Sequence, residues 1–190
     1  MAHDAMRLKP GDALLILDVQ RDFCAGGALE VADADAILPV VNRLIEEAVS
    51  AGVPVFASRD WHPPGHASFD EAGGPWPAHC VQGSAGAEFH PDLRLPERAT
   101  IISKGQAPER DQLSAFNASG LADRLRRLGA RRLLIVGLAL DVCVLETALD
   151  AAKEGFETHV LLSGARAITP QGGRASVEKM RKAGVVVEER

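Results

Sequence analysis

Four residues able to carry acid, base or nucleophile chemistry each stand where an apolar run ends. Asp18 lies at the end of "ALLILDV" (13–19), Asp60 closes "PVFASRD" (54–60), Lys104 closes "TIISK" (100–104), and Cys143 follows "RRLLIVG" (131–137) by a short turn. Taken singly, each has an ordinary explanation. An aspartate can simply start a loop, a lysine is usually a solvated charge, and a free cysteine is most often a small buried hydrophobe. Together they need one another, because a carboxylate, an ammonium and a thiol withdrawn from water are costly unless paired. The setting of Cys143 adds to this. If Asp141 caps the helix that follows, Cys143 sits in its first turn, where the helix dipole and a nearby Lys104 favour the nucleophilic thiolate. Cys24 and Cys80 lack that combination and read as packing residues.

The elements that must bring these residues together alternate in type. The run 13–19 suits a strand covered on both faces, and "ILPVVNRLIEEAVSAG" (37–52) has helical spacing closed by Gly52. Further strands are predicted at 54–60, 100–104, 131–137, 157–163 and 185–189, with helices at about 121–128, 143–154 and 171–183 that stop at Gly129, Gly155 and Gly184. Strand and helix in alternation imply a three-layer α/β/α fold with a doubly wound, mainly parallel sheet of about six strands. In such a sheet the carboxyl ends of the strands share one edge, and ligands bind there. The four reactive groups therefore converge. Residues 61–99 interrupt the rhythm with a loop rich in Pro and Gly that holds four of the six histidines, His62, His66, His79 and His90. A loop of that length is functional or disordered, and its two tryptophans argue against disorder.

Composition narrows the function classes. The chain has 190 residues, 46% hydrophobic and 25% charged, which suits one domain spanning residues 1–190 with 1–12 as an N-terminal extension. A net charge of −5 with no basic run excludes a nucleic-acid partner. The opening "MAHDAMRLKPGD" carries no apolar core, no run is long enough to span a membrane, and three cysteines form no disulfide framework. The expectation is a cytoplasmic protein with reduced thiols and no membrane partner.

"LLILDVQRDFCAGGALEV", "SRDWHPPGHASF", "WPAHCVQGSAGAEFHPDL", "ISKG" and "VGLALDVCVLETALDA" together resemble the nicotinamidase/pyrazinamidase branch of the isochorismatase-like cysteine hydrolases, in the same order from about residue 13 to the end. The resemblance implies a catalytic triad of Asp18, Lys104 and Cys143 that hydrolyses nicotinamide to nicotinate and ammonia through a thioester, with pyrazinamide as a surrogate, in NAD salvage. It implies an oxyanion hole from the backbone N–H groups of Ala139 and Cys143, next to a cis peptide between Leu138 and Ala139. It also implies one divalent metal ion on Asp60, His62 and His79. Asp60 and His62 alternate along an extended segment and can face one side, with His79 returning from the loop. That donor set suits zinc first, with iron or manganese also fitting. His66 is a candidate fourth ligand, although a lone loop histidine is more often hydrogen-bonded, and His90 reads as structural. Phe23, Trp76 and Leu138 are the implied substrate contacts. The implied partner is a small-molecule amide, with a homo-oligomer allowed.

The chain departs from the family pattern at Leu113, where many relatives carry tyrosine, and at Val142, where an aromatic residue or histidine is common; it contains no tyrosine at all. Two rival functions are weighed. Another amidase of the superfamily, acting on a carbamoyl or ureido substrate, would keep the triad but has less reason to keep the metal ligands. A non-catalytic binding protein on this fold would lack a catalytic residue, and none is missing here.

Overall fold

Every residue of the strand β1 (Asp12–Leu17) is buried, and its side chains alternate between two separate apolar clusters. Leu14 and Ile16 face one way with Leu134 and Val136, while Ala13, Leu15 and Leu17 face the other with Leu133 and Ile135. A strand buried on both faces belongs at the centre of a parallel sheet, and that is where β1 lies in the computed structural model, which describes residues 7–189. The remaining elements are α1 (Leu38–Ala51), β2 (Val55–Asp60), β3 (Thr100–Lys104), α2 (Leu121–Arg127), β4 (Arg132–Leu138), α3 (Leu145–Lys153), β5 (Glu157–Arg166), α4 (Pro170–Lys182) and β6 (Val186–Glu188).

The six strands run in the order β3-β2-β1-β4-β5-β6, all parallel. Helix α1 covers one face through Val41, Leu44, Ile45 and Ala48. Helices α2, α3 and α4 cover the other through Leu121, Leu125, Leu145, Ala148 and Met180. Burying each large aliphatic side chain contributes about 1.5–3 kcal/mol, so the two faces together hold the layers. The strand order reverses between β1 and β4, which opens a crevice at their carboxyl ends. In register, Leu17 lies beside Ser58 on one side and Gly137 on the other, and Asp60 lies beside Lys104. Gly137 has φ +124, and a Cβ there would run into the Leu17 carbonyl. Glycine is what lets the two central strands close.

Several boundaries differ from those expected. The segment predicted to be helical from residue 143 begins instead with a π-helical turn at Leu140–Val144, and regular α-helix starts only at Leu145. Asp141 does not cap that turn. Its carboxylate accepts the backbone N–H groups of Ile168 (2.8 Å) and Thr169 (3.2 Å), which pins the turn to the segment leading into α4. Strand β5 continues three residues past the expected end, because Ala165 and Arg166 pair with Gly137 and Leu138 beyond an irregularity in the β4 register. Within the extension expected at the N-terminus, Leu8 is buried in the core, while residues 1–6 lie outside the described residues. The histidine-rich loop is ordered by short bridges between His62 and Val81 and between Phe69 and Trp76, with Phe69 packed inside. Among the described residues no helix is long and apolar enough to cross a membrane.

Candidate active site

One residue past the end of β1, Asp18 takes a left-handed conformation (φ 51), which aspartate tolerates better than most residues. Its side chain is wholly buried at the sheet edge. There Ser58 Oγ donates to Oδ1 at 2.6 Å, and Lys104 Nζ lies 2.8 Å from Oδ2. This second contact is a fully buried ion pair. From the end of β3, Lys104 reaches three groups at once. Besides Asp18 it donates to Asp60 Oδ1 and, at 3.3 Å, to Cys143 Sγ. One oxygen of each carboxylate and the sulfur lie within 4.8 Å of one another.

The electrostatics follow from one buried cation among two carboxylates and a thiol. Burial raises the Asp18 carboxyl above its ordinary value, with Lys104 opposing it and Asp60 adding to it. Burial also pushes the Cys143 thiol well up, again against Lys104 and with Asp18 and Asp60. Lys104, which burial alone would drive down, is held well above the usual amine by Asp18 and Asp60. For Asp60, burial acts upward but Lys104 and His62 prevail and hold it well below the carboxylate range. At Cys143 burial outweighs the one ammonium, the opposite of the direction expected from a helix terminus beside Lys104. Burial raises the other two thiols as well, Cys24 to about 12 and Cys80 further.

Asp60 faces two ways. Its Oδ2 lies 3.6 Å from His62 Nε2 and 3.9 Å from His79 Nε2. The opposite ring nitrogens lie against carbonyl oxygens, His62 Nδ1 at 3.0 Å from Gly105 O and His79 Nδ1 at 2.7 Å from Pro77 O. A carbonyl can only accept, so both Nδ1 atoms donate and both Nε2 lone pairs turn toward the carboxylate. Three acceptors within 4.8 Å of one another are a donor set that fits a divalent cation. Burial lowers His79, whereas Asp60 raises His62 against the effect of burial. His66 is built differently. Its Nε2 meets the Arg110 carbonyl at 3.1 Å and must donate, while Nδ1 is taken by the Ser68 hydroxyl at 2.7 Å, so neither nitrogen offers a free lone pair; the ring packs against that of His62 at 4.3 Å, tilted by 33°. Cys24, Asp35 and His90 also approach one another. There His90 Nδ1 accepts the Asp92 N–H at 3.1 Å, and His90 Nε2 lies 3.7 Å from Asp35 Oδ2, so the ring braces the loop against the segment that carries Asp35.

Between Cys143 and the Asp60–His79 pair opens a pocket lined by Phe23, Trp76 and Ala139 and walled by Leu29, Val31, Leu113, Val142 and Ile168, with Asp111 at its exposed side. Phe23 lies 5.6 Å from the His79 ring. Leu138 does not line it; its side chain is fully buried in the core, and what it brings to the site is the cis peptide it shares with Ala139. Sequence reasoning passed over Ser58, Leu29, Val31, Asp111 and Ile168. Ser58 had a signal, since it stands two residues before Asp60 on a strand and so shares its face. The others come from loops whose approach to the pocket depends on tertiary packing.

The sequence matches the isochorismatase domain family over residues 12–190. It is 39% identical over 201 residues to the nicotinamidase of Escherichia coli (strain K12), covering 94% of each chain. Its fold matches the crystal structure of the pyrazinamidase of Pyrococcus horikoshii in complex with zinc at a TM-score of 0.92 and 44% identity, covering 95% of this chain and all of that one, which is 100%. The structure of PnC1 from L. infantum in complex with nicotinate matches at a TM-score of 0.88 and 39% identity, over 97% of this chain and 96% of the other.

Proposed function

The chain belongs to the isochorismatase domain family, and from that premise and the geometry of its sheet edge we propose that it is a cysteine amidohydrolase that converts nicotinamide to nicotinate and ammonia and also accepts pyrazinamide. The observation that carries this reading is the meeting of Asp18, Lys104 and Cys143 beside a metal-compatible donor set, in a chain akin to a nicotinamidase.

Asp18 takes the proton from the Cys143 thiol, and Lys104 stays close to both as the negative charge moves onto sulfur. The thiolate attacks the carboxamide carbon, and the electron pair of the C=O bond moves to oxygen. The backbone N–H groups of Ala139 and Cys143 receive that oxyanion. As the tetrahedral carbon collapses, the C–N bond breaks and Asp18 returns its proton to the departing nitrogen, which leaves as ammonia. The acyl group remains on Cys143 as a thioester. Asp18 then takes a proton from water as its oxygen attacks the thioester carbon; the tetrahedral adduct collapses with cleavage of the C–S bond, releasing nicotinic acid, which ionises to nicotinate, and Asp18 returns its proton to the Cys143 sulfur.

Asp60, His62 and His79 would hold a divalent ion, zinc being the first choice for two imidazoles and a carboxylate. When bound, the ion offers a Lewis-acid anchor to the pyridine nitrogen. Phe23 and Trp76 flank the ring, and the aliphatic wall excludes water from it. His66 supports His62 by packing against its ring rather than by ligation.

The test is ammonia release by purified, zinc-replete protein from nicotinamide, pyrazinamide, benzamide and a ureido acid. Nicotinamide should exceed benzamide by about a thousandfold in kcat/KM, because a site built around one polar contact strongly rejects an analogue lacking it. Turnover of the ureido acid in preference to nicotinamide would overturn the substrate, and equal rates on benzamide would overturn the ring anchor.

A further inference from the structure

The backbone of Asp60 poses a problem that the sheet alone does not solve. Ser58 accepts the Asp18 N–H at 3.1 Å, and Trp61 donates to the Lys104 carbonyl at 2.9 Å. Backbone groups in a strand alternate sides, so those of Asp60 face the β1 side, like those of Ser58. At that level β1 has already ended, at Leu17, and the chain has turned away at Asp18. The N–H and C=O of a buried residue are thus left without a strand to pair with, at a cost comparable to lost hydrogen bonds.

The side chain of Gln20, itself fully buried, takes the place of the missing strand. Its Oε1 accepts the Asp60 N–H at 2.8 Å, and its Nε2 donates to the Asp60 carbonyl at 2.8 Å and to the Ala87 carbonyl at 2.9 Å. The amide clips both backbone groups of the residue whose carboxylate is shared between Lys104 and the two histidines. It ties that residue to Ala87, in the second half of the histidine-rich loop, as well.

We propose that Gln20 is a positioning residue for the divalent ion: it holds Asp60 so that one carboxylate oxygen stays on Lys104 while the other faces His62 and His79, and it thereby sets metal affinity. This rests on the reading that Asp60, His62 and His79 hold the ion. Groups that orient a metal ligand typically contribute about 10–100-fold in affinity.

The experiment measures the zinc Kd of the purified chain by competition with a chromophoric chelator, alongside its melting temperature. Gln20→Met keeps the side chain's length and removes the clip; Gln20→Glu keeps the acceptor and, when ionised, loses both donors, and serves if the first variant does not fold. Asn42→Leu is the control, because Asn42 is another buried amide that clips backbone, between Asp92 and Arg94 and outside the site. The folded Gln20 variant should bind zinc at least tenfold more weakly, with Asn42→Leu unchanged in Kd even where it melts earlier. A smaller change at Gln20, or an equal one at Asn42, would overturn the positioning role while leaving the metal site intact. Failure of both Gln20 variants to fold would overturn it too, making Gln20 a residue of general stability. A wild-type chain without zinc affinity would remove the metal reading and this inference with it.

Discussion

Lys104 is the residue on which the electrostatics of the site turn, since its buried ammonium is in contact with two carboxylates and a thiol. Removing it differs in kind from removing the nucleophile. Cys143→Ala deletes one sulfur and Asp18→Asn one charge, so both should fold while kcat falls by about 10⁴-fold or more, as for other catalytic groups that act as a unit. A variant of either residue that keeps even a tenth of wild-type ammonia release would refute the assignment. Lys104→Met leaves two buried carboxylates without a cation, a loss of about 3–5 kcal/mol. Inactivity there should come with a fall in melting temperature of roughly 10 °C, and calorimetry of the three proteins separates the cases. Asp18, Asp60, Lys104 and Cys143 were legible as a group because a polar residue ending an apolar run has few places to go in a parallel sheet. Gln20 and the bonding of His66 were not. Their meaning depends on which strand stops first and which carbonyl lies opposite each ring nitrogen, and neither is written in residue spacing.

At the level of elements, the alternation of apolar runs and helical spacing was enough to expect a layered parallel sheet, since burial on both faces leaves β1 and β4 no polar side. The π-helical turn at Leu140–Val144 was not foreseen, because "LALDVCV" carries the same apolar positions whether it winds as α or π. What separates them is the pull of Asp141 toward Ile168 and Thr169, a contact made across the chain. The close approach of β1 and β4 supplies a prediction for this level. Gly137→Ala would drive a methyl group into the Leu17 carbonyl, and the strands would have to part, at a cost of about 3 kcal/mol typical of overpacking. Urea unfolding should show the midpoint shift with an unchanged slope. Because Asp18 and Cys143 follow these two strands, kcat should fall as well; a variant of wild-type stability would mean that the sheet absorbs the methyl group.

For the molecule as a whole, a divalent ion on Asp60, His62 and His79 would join the end of β2 to the loop that follows it, and ligand that binds only the folded chain stabilises it by mass action. Zinc at about 100 times its Kd should add about 2.7 kcal/mol, or roughly 5–10 °C in melting temperature for a chain of this size. Excess chelator should reverse the gain, and His79→Ala should not show it; an equal rise in that variant would place the ion elsewhere. The strand order has a further consequence for how the chain is made. The central pair β1 and β4 is joined at its start by the Asp12–Arg132 ion pair, 2.6 Å long between residues 120 apart. Translation at about 5–20 residues per second therefore separates the synthesis of β1 from that of its partner by on the order of ten seconds. Until β4 leaves the ribosome, the nascent β1–β2–β3 half presents an unpaired, leucine-rich edge, and the crevice that holds Asp18 and Cys143 has only one of its two walls.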